Sequence, residues 1–182
     1  VNNGAYHFDI KTPNSVITNA VFAKPGRHNL MNAAAAFTMA VEAGFAPKPL
    51  AKALASYSGV KRRFTYHIKS KGFVFIDDYA HHPKEIDAVH QAVHEMHPGQ
   101  KVLVVFQPHL YSRTKDFGHE FAQSLSRFDC IFLLDIYPAR EKPITGITSS
   151  WLLEKIGNPN KKLVLKGELV EEIIKEKTDI LI

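Results

Sequence analysis

From Phe64 onward this sequence alternates short apolar runs with stretches of helical periodicity, and no other feature restricts its fold so far. The runs Phe73 to Asp78, Lys101 to Phe106 and Asp129 to Leu134 have the length of strands. They are followed by the helical patterns Pro83 to Met96, Arg113 to Ser126 and, farther on, Ser149 to Ile156. Lys162 to Leu165, a helix from Glu168 to Lys175 and a strand from Asp179 to Ile182 continue the series. A helix between two strands carries the chain back to the edge from which it started, so the second strand joins parallel to the first. The expectation is an α/β unit on a mostly parallel sheet with helices on both faces.

Residues 1–60 have a different texture. Tyr6 to Ile10 and Val16 to Phe22 alternate about the turn-forming Thr12-Pro13-Asn14-Ser15, the pattern of a β-hairpin. After Pro25-Gly26 an alanine-rich helix is expected from Asn29 to Ala43, closed by Gly44, and then a shorter one from Pro49 to Tyr57. A lone hairpin with two helices is a poor domain by itself. Residues 1–60 are therefore read as the end of a larger unit and residues 61–182 as a second one, with the boundary between Gly59 and Arg63. The closing Ile180-Leu181-Ile182 stops without a turn or polar tail, which predicts a strand that continues past it.

Composition excludes several classes. With 45% apolar and 23% charged residues the chain resembles ordinary folded domains, not disordered or fibrous ones. The single cysteine, Cys130, forbids an internal disulfide and, inside the run Cys130 to Leu134, predicts a buried thiol in a reducing, cytoplasmic setting. No secretory pattern opens the sequence, and no apolar run approaches the ~20 residues of a spanning helix. The net charge of +5 comes from cations interleaved with acids, which suits a solvated surface or a phosphorylated small molecule. Lys61-Arg62-Arg63 lacks the aromatic interleaving of a nucleic-acid patch, and no nucleic-acid partner is expected.

In open α/β sheets ligands bind beyond the carboxyl ends of the parallel strands. Three such loops carry ionisable and aromatic side chains: Asp78-Tyr79-Ala80-His81-His82-Pro83, Gln107-Pro108-His109-Leu110-Tyr111-Ser112-Arg113 and Asp135-Ile136-Tyr137-Pro138-Ala139-Arg140-Glu141. They are expected to share one rim. Pro83 suits a first helical position and His82 its cap, which leaves Tyr79 and His81 to project from the turn. Ser112-Arg113-Thr114 opens a helix, so the Arg113 guanidinium and free backbone donors can converge on one carboxylate or phosphate; a surface pairing with Asp116 is the alternative. Adjacent His81 and His82 point apart on an extended turn, and His90, His94 and His97 read as surface residues along one helix, so no metal site is expected. Asn29 and Asn32 lie on one face near a helix start, able to cap it or to read a base edge.

Five segments then carry a resemblance over nearly the whole chain: GRHNLMNAAAA at 26–36, GVKRRF at 59–64, DDYAHHPKE at 77–85, FQPHLYSRT at 106–114 and YPAREKPITGITS at 137–149. Together they resemble the Mur ligases of peptidoglycan synthesis, and among them the branch that adds L-alanine to UDP-N-acetylmuramate. That resemblance implies a UDP-sugar domain, a central P-loop ATPase and a Rossmann-like carboxy-terminal domain, of which residues 1–60 match the tail of the second and residues 61–182 the third. The Gly-Lys-Thr phosphate loop is not in the sequence, so a fragment is expected that is inactive alone and works with the missing central and amino-terminal domains. The implied chemistry is phosphorylation of the lactyl carboxylate by ATP, with Mg2+ held mainly by the central domain, and attack of the L-alanine amine on the acyl phosphate.

The resemblance also implies roles. Asn29 and Asn32 match asparagines facing adenine, and Arg63 and Asp78 match positions near the phosphates and ribose. Tyr79, His81 and His109 match the pocket for the alanine side chain, and Arg113 matches a carboxylate-binding arginine. His81 is the candidate base for the alanine ammonium, since an imidazole ordinarily titrates near neutrality. Leu110 stands where the family more often has an arginine, and Arg140 is the candidate to compensate. The alternatives are the related ligase that recycles intact murein peptides and a stand-alone nucleotide- or anion-binding module.

Overall fold

In the computed structural model, which describes residues 5–182, the chain begins with a tight reversal at Pro13-Asn14. It folds Tyr6–Thr12 (β1) antiparallel onto Ser15–Phe22 (β2). Two helices follow, Arg27–Glu42 (α1) and Pro47–Ser56 (α2). Gly26 caps α1 with a φ of 91°, a left-handed conformation that suits glycine, and α1 starts two residues ahead of the expected Asn29. Only Ala33 and Phe37 of α1 and Ala51 of α2 are buried, so this part has little core of its own.

The remaining strands are Thr65–Lys69 (β3), Val74–Asp77 (β4), Val102–Phe106 (β5), Cys130–Leu133 (β6), Lys161–Leu163 (β7) and Ile180–Leu181 (β8). They form one sheet in the order β3-β4-β8-β5-β6-β7. All neighbours are parallel except β3, which pairs antiparallel with β4 at the edge. The expected α/β class and mostly parallel sheet are present. β3 was not anticipated: Thr65-Tyr66-His67-Ile68-Lys69 is largely polar and more than half of it is exposed, as an edge strand can be. β8 lies between β4 and β5, although it comes last in the sequence.

Helices Pro83–Met96 (α3), Tyr111–Asp116 (α4), Gly118–Leu125 (α5), Ser149–Lys155 (α6) and Leu169–Glu176 (α7) cover the sheet. Strand residues divide between the faces with period two, which is why β5 and β6 read as unbroken apolar runs. Val102, Val104, Ile131 and Leu133 meet Val89 of α3, Phe121 of α5 and Leu152 of α6 on one face. Leu103, Cys130 and Phe132 meet Leu169 and Ile173 of α7 on the other. Burial pushes the Cys130 thiol up to about 11, assisted by the nearby Glu176 carboxylate, so the thiol is buried as expected.

Two expectations need correction. The continuous helix Arg113 to Ser126 is two helices, separated at Phe117, whose φ of −112° breaks the ladder. Gly118 follows because the Trp151 ring of α6 presses there: a Cβ would lie 2.4 Å from it. The histidines of α3 are half-buried, not surface residues. His90 Nε2 lies 2.9 Å from the Arg127 carbonyl and its ring stacks on His94 at 4.1 Å, while His97 Nε2 lies 3.0 Å from the Tyr66 hydroxyl. Burial lowers the pKa of His90 and of His97.

Candidate functional site

Because β4, β8, β5 and β6 run parallel, the loops leaving β4, β5 and β6 emerge at one edge. The three loops meet there. The Tyr79 and His81 rings are 5.0 Å apart, His81 and His109 are 6.5 Å apart, and His109 stacks on Tyr137 at 5.4 Å with an interplanar angle of 24°.

The first loop is held by its own carboxylates. Asp78 accepts hydrogen bonds from the Phe64 N–H at 2.7 Å and the Ala80 N–H at 2.8 Å, which tie the loop to the segment before β3. Burial raises the Asp78 pKa, against the lowering effect of those two donors and of Arg63. His82 accepts from the Lys84 N–H, as expected of a cap before Pro83. His81 Nδ1 lies 2.8 Å from the Tyr79 carbonyl. A carbonyl only accepts, so the neutral ring carries its proton on Nδ1 and presents the Nε2 lone pair. Glu85, one turn into α3, accepts from the His81 N–H at 2.9 Å and faces the Arg63 guanidinium at 3.5 Å. Partial burial works against its ionisation, but the His81 N–H and Arg63 outweigh it and leave the carboxyl below its usual value. Arg62 lies 4.7 Å over the Tyr79 ring, a cation–π contact that covers one face of the exposed tyrosine.

The second and third loops are zipped together. The Leu110 N–H donates to the Tyr137 carbonyl at 2.9 Å and the Tyr137 N–H to the Pro108 carbonyl at 2.8 Å, so His109 and Tyr137 pair as in a parallel sheet. Leu110 adopts a φ of 74°. That conformation is strained for a side chain with a Cβ and persists only where neighbours over-determine it. The Glu141 carboxylate accepts from the Ser112 N–H at 2.9 Å and from the Ser112 hydroxyl. The backbone donor at the start of α4 that was expected to face a ligand is thus taken by a carboxylate of the protein. The Ser112 hydroxyl and N–H hold the Glu141 carboxyl below its usual range.

Arg113 makes no ion pair with Asp116 or any other described residue, and its Nη1 is buried without a hydrogen-bond partner. A buried guanidinium nitrogen left unpaired is costly and points to an absent acceptor. Burial and the Arg113 charge lower the pKa of His109. Arg140 is exposed, on a turn where Ala139 has a φ of 51°, and has no hydrogen bond or ion pair among the described residues.

A second cavity, of about 830 Å³, opens between α1 and α2 on one side and α3 on the other. Asn29, Asn32, Arg63 and Asp78, expected from three separated segments, all line it, together with Phe22 and Tyr57. The last two rings stack nearly parallel, 6.1 Å apart. Asn29 donates its amide to the Pro25 carbonyl at 2.6 Å, while Asn32 is exposed toward the cavity; neither caps α1. Aromatic walls, the exposed Asn32 amide and a guanidinium beside an apolar cavity of this size suit a small molecule with a flat ring and an anionic group. Tyr137, Glu85, Glu141, Phe22 and Tyr57 were not singled out from the sequence. Glu85 had a signal, an acid in the first turn after a capping histidine, whereas Glu141 reaches Ser112 across 29 positions and had none.

Comparison with known proteins bears on the fold and the family. The family described as Mur ligase, glutamate ligase domain, matches residues 62–180. A UDP-N-acetylmuramate--L-alanine ligase of Flavobacterium psychrophilum is 58% identical over 182 residues, all of this chain and 41% of the relative. One from Cytophaga hutchinsonii is 48% identical, over all of this chain and 39% of the relative. The crystal structure of a UDP-N-acetylmuramate-alanine ligase from Thermotoga maritima superposes with a TM-score of 0.70 at 26% identity, covering 91% of this chain and 35% of that one. The chain therefore spans about two fifths of the length of these relatives. With the fold shared with that structure and a family match over residues 62–180, the chain belongs to the Mur ligase family.

Proposed function

We propose that this chain is the amino-acid-binding and closing part of an ATP-dependent ligase that joins L-alanine to the lactyl carboxylate of UDP-N-acetylmuramate. The observation that carries the reading is the Arg113 guanidinium, its Nη1 buried and unpartnered, beside the cluster of rings of Tyr79, His81 and His109. An amino acid with a one-carbon side chain has a carboxylate for the guanidinium and little bulk for the rings to accommodate. His81, with its Nδ1 proton engaged by the Tyr79 carbonyl, offers Nε2 as the base for the ammonium proton. Arg140 stands close enough in sequence to Glu141 to reach the same carboxylate after a rearrangement of its turn.

The cavity of Asn29, Asn32, Arg63 and Asp78 supports the nucleotide assignment: amides for the base, the guanidinium for a phosphate and the Asp78 carboxylate for the ribose. Asp78 already accepts two backbone N–H groups, so its remaining lone pairs are the ones left for a hydroxyl. Among the described residues no three His, Cys, Asp or Glu side chains are arranged to hold a metal ion. Mg2+ accompanying ATP is read as held mainly by the central domain of the intact ligase. Residues 1–60 are read as the end of the central ATPase domain and residues 61–182 as the third domain of the intact enzyme, working in the cytoplasm where its substrates are made.

The test is turnover of the intact ligase with ATP, UDP-N-acetylmuramate and competing amines. L-alanine is expected to be used in preference to glycine, L-serine and a murein tripeptide, and 18O from the lactyl carboxylate is expected in the released phosphate. Preference for the tripeptide would replace this reading with the recycling reaction.

A further inference from the structure

The third loop has a feature that the alanine pocket itself does not use. Glu141 reaches back from that loop to the first turn of α4 and engages Ser112 twice, through the backbone N–H at 2.9 Å and through the hydroxyl. Its carboxylate also lies near Arg113, which helps to lower its pKa, but the two form no ion pair. Two backbone hydrogen bonds, from Leu110 to Tyr137 and from Tyr137 to Pro108, already join the loops. Glu141 adds a third attachment, on the far side of the strained Leu110, just before the residue that carries the guanidinium.

We propose that Glu141 is a positioning residue for the amino-acid substrate: by occupying the donors at the start of α4 it fixes Arg113 and denies the helix end to the incoming carboxylate. Two consequences follow from the geometry. With Ser112 saturated, the strongest acceptor-seeking group left at the rim is the guanidinium, so the substrate carboxylate has one seat instead of two. With α4 clamped to the third loop, His109 and Tyr137 keep their stacked orientation while Arg113 is engaged. Loss of the clamp frees the Ser112 donors to compete for the carboxylate and lets Leu110 relax from its positive φ, which displaces Arg113.

The inference rests on the reading of this rim as an amino-acid site, and the experiment separates the two. In the intact ligase, Glu141→Ala is expected to raise KM for L-alanine about tenfold or more, the factor that one charge-assisted hydrogen bond of about 1.4 kcal/mol represents. The KM values for ATP and UDP-N-acetylmuramate are expected to stay within about twofold of the parent, as expected of an interaction confined to amine binding. Glu141→Gln keeps a carbonyl acceptor for the Ser112 N–H and is expected to recover most of the loss, and Ser112→Ala to reproduce part of it. An unchanged KM for L-alanine in Glu141→Ala, or equal losses for all three substrates with no rescue by glutamine, overturns the proposal. If the parent enzyme prefers another amine, the reading of the substrate fails. The positioning role is then measured on that amine's KM, and the same selective rise and rescue sustain it.

Discussion

Arg113 is the residue on which the most chemistry turns. Its guanidinium is partly buried and lacks an acceptor for Nη1, a cost that binding a carboxylate would remove. Arg113→Ala in the intact ligase is expected to raise KM for L-alanine by about tenfold to a hundredfold, corresponding to the ~1.5–3 kcal/mol of a hydrogen bond to a charged group. Arg113→Lys is expected to recover little, because a lysine cannot present the planar fork. Steady-state kinetics with L-alanine varied checks both; a KM within twofold of the parent in Arg113→Ala would remove this arginine from the site. That Tyr79, His81, His109 and Arg113 gather at one rim was legible in the sequence, since they stand where strands give way to helices. Their partners were not: which donors Glu141 occupies, and that Arg140 faces solvent, depend on how two distant loops fold onto each other.

Among the elements, the break between α4 and α5 shows packing overriding local preference. Nothing from Arg113 to Ser126 forbids one helix, although glycine is the weakest helix former in it. The decisive contact is with α6, where the Trp151 ring occupies the space beside Gly118. In an open helix Gly→Ala usually stabilises; here Gly118→Ala is expected to destabilise by about 1–3 kcal/mol, the cost of overpacking. Trp151→Ala in the same chain is expected to relieve part of that penalty, since the two residues touch and their effects are not additive. Urea unfolding of the single and double variants measures the coupling, and additive losses would show that the ring does not set the break. β3 escaped notice for the opposite reason, being an edge strand with few buried side chains and hence little hydrophobic pattern. The helix α3 and the strands β4, β5 and β6 were legible because each carries a run or stripe of buried apolar side chains, and α6 and α7 from their apolar spacing, although α7 only half-buries Leu169 and Ile173.

At the scale of the whole molecule, two regions sit on either side of the first loop after β4. Asp78 lines the cavity between α1, α2 and α3, and Tyr79 and His81 begin the ring cluster at the rim, so on the function proposed above one turn of chain would separate nucleotide from amino acid. Neither region includes a Gly-rich phosphate cradle, which accords with this chain covering about two fifths of its relatives. The 182-residue chain by itself is therefore expected neither to hydrolyse ATP nor to form the amide. A coupled phosphate-release assay on the purified chain, with all three substrates present, checks this; steady turnover would contradict the division of labour proposed above. The class of fold was legible from the alternation of strand and helix, but the strand order was not, because parallel crossovers permit several orders.

That order has a bearing on how the chain is made. Ile180–Leu181 fills the slot between β4 and β5, so until it is delivered those two strands lie side by side with facing rows of unsatisfied amides and carbonyls. A nascent or clipped chain lacking this strand would present an open cleft of sheet, the kind of adhesive edge on which chains join one another. The strand that carries Ile180 and Leu181 is in that sense the keystone of the sheet, and cell extracts are the place to look for chaperones that shield the gap before it is set.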